Sequence, residues 1–99
     1  MYLLGENIMK VLTIEEVNHY LESLDDWQLD GDAIKQEWIF KDFSEAIDFI
    51  NMIAVVAENY NHHPEIYNVY NRVSLRFNTH DAGGITEKDI NIAKEINKL

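Results

Sequence analysis

Apolar residues recur along this chain with two different periods, and the alternation between them predicts its elements. Val17, Tyr20, Leu21 and Leu24 fall on one face of a helix running from about Ile14 to Leu24. Phe43, Ala46, Ile47, Ile50, Ile53, Ala54 and Ala57 recur at spacings of three and four, which marks a second, longer helix with a stripe facing a core. Pro64 fixes its end, because the residue before a proline is pushed out of helical geometry. A third helix runs from Glu87 to about Asn97, with Ile90, Ala93 and Ile96 inward. The three starts share a device: Thr13 before Glu16, Asp42 before Glu45, Thr86 before Asp89. In each, a side-chain oxygen can cap free backbone N–H groups, and the later acid can reach back or sit on the positive end of the helix dipole.

Between the helices the period falls to two. Trp27–Leu29 and Ala33–Phe40 flank the turn signal Asp30-Gly31-Asp32, and Ile34, Trp38 and Phe40 alternate with Lys35, Glu37 and Lys41. Ile66–Tyr70 and Val73–Asn78 form a second pair, with Val73, Leu75 and Phe77 on one side and Ser74, Arg76 and Asn78 on the other. The predicted fold is α+β: a four-stranded antiparallel sheet with three helices packed on one face, in the order α-β-β-α-β-β-α. Ile39 and Tyr70 on the opposite face hint at a partner. Residues 13–99 form the single predicted domain, and residues 1–12 an N-terminal extension.

Composition narrows the function classes. The chain has 99 residues, enough for one domain near the lower limit for a self-sufficient core. It has no cysteine, so disulfides and cysteine-based zinc sites are excluded. Eighteen acidic residues against 8 Lys and Arg give a net charge of −10, which repels nucleic-acid phosphates and anionic lipid head groups. No stretch reaches the ~20 apolar residues that a membrane span requires, and the start of the chain lacks the pattern of a signal peptide. The expected compartment is the cytoplasm, with neither nucleic acid nor membrane as partner.

The candidate chemistry lies in His62, His63 and His80. Histidine gains and loses a proton near neutral pH. His62 and His63 sit where the second helix ends, and His80 follows the last strand before Gly83-Gly84. If the strand lies beside the helix end, the imidazoles line one hollow. Glu58, four residues before His62, can orient that ring or be a solvated helix acid. A purely structural reading remains open, since histidine and proline are both common at helix C-termini. Zinc binding by the histidines with Asp81 is a weaker alternative, because no HxH or HxxxH spacing is present. Gly83-Gly84 lacks the spacing and lysine of a phosphate-binding loop. His19 reads as a solvated helix residue, and Trp27 and Trp38 as core or interface anchors.

Two blocks carry a family resemblance. Glu58-Asn59-Tyr60-Asn61-His62-His63-Pro64, continuing through Asn68-Val69-Tyr70-Asn71, resembles the signature of the pterin-4a-carbinolamine dehydratases. So does Thr79-His80-Asp81-Ala82-Gly83-Gly84-Ile85-Thr86 with Asp89, although Ile85 stands for a usual leucine. The likeness covers roughly residues 13–99. It implies a lyase that removes water from a 4a-hydroxytetrahydropterin to give quinonoid dihydropterin, in recycling of a tetrahydrobiopterin-type cofactor, without metal or organic cofactor. It implies catalysis by His62, His63 and His80, with His62 and His80 exchanging protons and His63 positioning the ring. It implies a pterin site built from Glu58, Asn61, His62, His63, Pro64, Asn78, Thr79, His80 and Asp81, with Glu58 supporting His62. It also implies a homodimer or homotetramer. The rival expectation is a protein-binding module, acting as a dimerisation cofactor or assembly factor, which a small acidic domain with an exposed amphipathic helix would suit.

Overall fold

A computed structural model describes residues 9–99. Most of the expected N-terminal extension, residues 1–8, lies outside the described residues. Helix α1 spans Ile14–Leu21, strands β1 and β2 span Gln28–Asp30 and Ala33–Ile39, and helix α2 spans Phe43–Tyr60. Strands β3 and β4 span Glu65–Val69 and Arg72–Phe77, a 3₁₀ turn covers His80–Ala82, and helix α3 spans Glu87–Ile96. All strand pairs are antiparallel, in the spatial order β1-β2-β4-β3. The predicted α+β architecture is therefore the observed one.

The sheet's inner face is set by alternation. Val73, Leu75 and Phe77 of β4 are fully buried, while Ser74 and Arg76 face the other way. Against them pack Ala46, Phe49 and Ile53 of α2 and Ile90, Ala93 and Ile96 of α3. Trp27, Trp38, Phe40, Phe49 and Phe77 form a chain of ring contacts at 4.8–6.0 Å between centroids. Such pairs add roughly 0.5–1.5 kcal/mol each beyond their buried area. Both tryptophans thus serve the core.

The structure shifts several predicted details. Helix α1 stops at Leu21, and Leu24 reaches the core from the turn that follows. In α2 the buried stripe is Ala46, Phe49, Ile53 and Ala57, whereas Phe43 and Ala54 point outward. Phe43 sits in the first turn, ahead of the packed stretch, and stays 49% exposed. The end of α2 is set before Pro64 is reached. Asn61 adopts a left-handed conformation (φ 48°, ψ 46°), and the N–H groups of Asn61 and His62 donate to the carbonyls of Glu58 and Ala57. This is a Schellman closure, for which asparagine is a suitable left-handed residue. Leu12 is buried and its N–H donates to the Ile85 carbonyl at 2.8 Å, so the core begins one residue before the predicted domain start.

Two features hold the β3–β4 hairpin. Arg76 on the open face donates to Asp30 of β1, to Asp32, and to Glu65 of β3, tying β4 to both edges of the sheet. These bonds, the one to Asp30 foremost, raise the guanidinium's already high pKa. At the hairpin tip, the Asn68 amide donates to the Tyr70 and Arg72 carbonyls, and the Asn71 amide donates to Phe40 at 2.9 Å. The Asn-Val-Tyr-Asn segment is therefore a structural clamp.

Candidate active site

The hairpin register determines what meets what. Glu65 pairs with Arg76. Continuing that register beyond the strands brings His63 to the level of Asn78 and His62 to that of Thr79. The end of α2 and the exit of β4 are thus forced to one end of the domain. There, Asn61, His62, His63, Asn78, Thr79, His80, Asp81 and Lys88 line a cavity of about 320 Å³. Small-molecule sites span ~300–1,000 Å³, so it accommodates a compact ligand. Of three larger hollows, those along β1–β2 and beside Trp38 at the far end of the sheet contain no histidine, and the third, on α1, has only His19 beside Glu15, Glu16 and Tyr20.

The structure brings together all three predicted catalytic histidines, and Asn61, Asn78, Thr79 and Asp81 with them. Glu58 and Pro64 are not among the lining residues. Glu58 also has a different partner from the expected one. Its carboxylate meets His63 Nε2 at 2.6 Å, not His62. The i,i+4 relation that suggested His62 requires a continuing helix. The left-handed Asn61 breaks that helix, so His62 turns inward and His63 folds back over the last turn.

The partner of His62 is Asp89, at 2.5 Å between Nε2 and Oδ1. Asp89 is 0% exposed and His62 8% exposed. The other carboxylate oxygen accepts from the Thr86 N–H at 2.9 Å and from the Thr79 hydroxyl at 3.0 Å. A buried carboxylate with three such donors is satisfied as an acceptor. It therefore fixes Nε2 of His62 as the N–H and leaves Nδ1 as the accepting nitrogen of the neutral ring. The ring stacks on Phe77, 5.7 Å between centroids, which limits its rotation. His80 is exposed, and its ring has no hydrogen-bond partner among the described residues.

Asp89 is the residue whose role the sequence leaves unassigned: there it is a helix-capping acid and a member of the second signature block, with no place in the site. Its phase carried the signal. Asp89 is four residues before Ala93 and seven before Ile96, on the same inward stripe of α3, so its carboxylate had to be buried. The turn between His80 and α3 is held by a bridge between Thr79 and Gly84. Gly83 takes a left-handed conformation (φ 83°), and a Cβ on Gly84 would meet Val11 at 2.8 Å. The glycine pair thus serves the turn geometry. Among the described residues, no group of three or more His, Asp or Glu side chains is arranged to hold a metal ion, and no helix is long and apolar enough to cross a membrane.

Comparison with known proteins gives consistent findings. Residues 10–99 match the family described as Pterin 4 alpha carbinolamine dehydratase. A relative from Sulfurisphaera tokodaii is 42% identical over 91 residues, covering 92% of this chain and 98% of its own length. One from Koribacter versatilis is 44% identical over 90 residues, covering 91% and 96%. Both are provisionally named pterin-4-alpha-carbinolamine dehydratase. The crystal structure of a transcriptional coactivator/pterin dehydratase from Brucella melitensis superposes with a TM-score of 0.84 at 45% identity, over 90% of this chain and 97% of that one.

Proposed function

The chain belongs to the pterin 4 alpha carbinolamine dehydratase family, and from that premise we propose that it dehydrates a 4a-hydroxytetrahydropterin to the quinonoid dihydropterin by histidine acid–base catalysis. The observation that carries this reading is the buried His62–Asp89 pair facing a cavity shared with His80. Loss of water from a carbinolamine requires a proton for the departing 4a-hydroxyl and removal of the proton on N5 as the C4a=N5 bond forms. His62, with Nδ1 free to accept, takes the N5 proton. His80, without a competing partner among the described residues, protonates the hydroxyl from the other side of the ring. His63, held by Glu58, hydrogen-bonds and orients the pterin, and the Asn61 side chain with the backbone around Asn78, Thr79 and Asp81 receives its amide and amino edge. Each proton transfer contributes roughly 10²–10⁴-fold. The reaction needs no cofactor.

An absorbance assay of 4a-hydroxytetrahydropterin dehydration, run with and without chelator, tests the proposal. Activity should survive chelation, and His62→Ala and His80→Ala should each lower turnover by at least ~10²-fold. Full activity in both variants would refute the assignment.

The reading also includes self-association as a dimer or tetramer, in the cytoplasm. Its support is the apolar residues left outside: Ile66, Tyr67 and Val69 on edge strand β3, and Ile39, 72% exposed, on the open face of the sheet. An edge strand of this kind invites pairing. Light scattering on a size-exclusion column distinguishes one, two and four copies, and a monomer at all concentrations would remove this part. A second reading, a protein-binding role, draws on the outward-facing Phe43, Met52 and Val55 of α2.

A further inference from the structure

Behind Asp89 lie two more buried hydroxyls that acid–base chemistry alone does not require. Thr79 Oγ1 and Thr86 Oγ1 are 2.6 Å apart, and both side chains are buried, Thr86 completely. Proton bookkeeping settles which one donates. The Thr86 oxygen accepts from the Lys88 N–H at 3.2 Å. Its own proton then has one buried acceptor in reach, the Thr79 oxygen. The Thr79 proton points onward to Asp89 Oδ2 at 3.0 Å. The reverse direction would leave Asp89 without that donor and the Thr86 proton without an acceptor, each a buried loss of about 1–3 kcal/mol.

We propose that Thr86 and Thr79 are positioning residues, whose one-way chain of hydroxyl dipoles aims Asp89 at His62 and so fixes that ring toward the cavity. The chain runs from the Lys88 N–H through Thr86 and Thr79 to Asp89 Oδ2, and on the other carboxylate oxygen the His62 Nε2–H completes it. Every donor in it points toward the carboxylate, so Asp89 has no alternative but to accept. Thr86 has two duties here, because its oxygen also caps α3. Thr79 caps nothing with its side chain. Thr79 is therefore the position at which the relay can be cut without uncapping a helix. The functional consequence rests on the dehydratase reading; the hydroxyl directions do not.

The test has two arms. Neutron diffraction on the deuterated, unmutated protein locates the hydroxyl deuterons. That of Thr86 should lie between the two threonine oxygens, and that of Thr79 between Thr79 and Asp89; the opposite placement overturns the proposal whatever the enzyme does. In the second arm, Thr79→Val keeps the shape and removes the hydroxyl. A misplaced catalytic group can cost up to ~10²-fold, so kcat should fall about 10-fold with little change in KM. The low-field His62 Nε2–H proton signal in NMR should move upfield or exchange faster. Thr79→Ser should restore both. A folded Thr79→Val protein with unchanged kcat and an unchanged His62 signal means the hydroxyls are structural only, and the proposal fails. If Thr79→Val does not fold, the neutron arm alone decides. If the unmutated protein dehydrates no pterin, the functional reading fails while the neutron and NMR arms still judge the relay.

Discussion

Replacing Asp89 by asparagine conserves volume but changes which hydrogen bonds are possible, and the outcome can be worked through atom by atom. The native carboxylate accepts from His62 Nε2, the Thr79 hydroxyl and the Thr86 N–H. An amide has one oxygen and one NH₂. With its oxygen toward His62, the NH₂ opposes the Thr86 N–H at the 2.9 Å contact, two donors face to face. A backbone N–H cannot turn away, and leaving it buried and unsatisfied costs about 1–3 kcal/mol. With its oxygen toward Thr86 and Thr79, the NH₂ faces His62 Nε2 and no partner is lost, provided that His62 accepts at Nε2. The second arrangement wins, and it moves the imidazole proton to Nδ1, the nitrogen left free for substrate. The stability cost is the difference between charge-assisted and neutral bonds, about 1 kcal/mol each. A domain of this size loses roughly 4–8 °C of Tm per kcal/mol, so the variant should fold with a lowered Tm. Turnover should fall by ~10²–10⁴-fold, the usual worth of a general base. Two assays check this: absorbance-monitored dehydration and ¹⁵N NMR of the His62 ring. A folded variant with the proton on Nδ1 and unimpaired turnover would refute the assignment of His62 as proton acceptor.

Other expectations follow from the same geometry. His80→Gln should remove at least ~10²-fold of turnover while leaving Tm nearly unchanged, because the native ring is exposed and meets no hydrogen-bond partner among the described residues; calorimetry beside the activity assay checks it. Glu58→Gln should raise KM more than it lowers kcat, since Glu58 holds His63 and not His62; steady-state kinetics separates the two parameters. Asn71→Ala should destabilise by about 1 kcal/mol through loss of the bond to the Phe40 carbonyl, measurable by urea unfolding with unchanged m-value. Glu16 titrates below the ordinary glutamate value, chiefly because of its hydrogen bond from Lys10 and then from the Thr13 backbone. A carboxylate lowered on folding contributes stability above its unfolded pKa of ~4.3 and loses it as pH falls through the lower folded value. Tm measured from neutral to acid pH should therefore drop less steeply for Glu16→Gln than for the parent.

Periodicity was enough to read the element order and the sheet, because burial alternates along β4 and from Ile34 onward in β2 and follows a helical stripe in α3; the capping triplets marked the three helix starts. It was less reliable where an element projects past its cover. In α2 the apolar residues wrap around more than one face, so spacing alone admitted Phe43 and Ala54 and passed over Phe49. The three histidines were legible because an adjacent pair at a helix end and a third at a strand exit are conspicuous. Their partners were not. Which acid meets which ring depended on the left-handed turn at Asn61, a single backbone conformation that the neighbouring proline obscured. Asp89 stands in the second signature block, but its role as the partner of His62 was concealed by its capping position, where an acid has a sufficient local explanation. The Thr79–Thr86 contact arises only after the turn at Gly83-Gly84 has folded α3 back on the strand, and no local pattern reports it.

The β3–β4 hairpin also acts as a ruler. Because His62 and His63 lead directly into one strand and Thr79 and His80 leave the other, the span between them is metered by the number of paired residues. Side chains on either strand can change identity without altering that span. Adding or deleting one residue within β4 would slide the ladder by a step, turn the inward residues beyond that point, such as Leu75 and Phe77, toward solvent, and separate the two halves of the site. Length variation in this segment should therefore be confined to the loop beyond Val69, where an added residue changes neither the ladder nor the distance it sets.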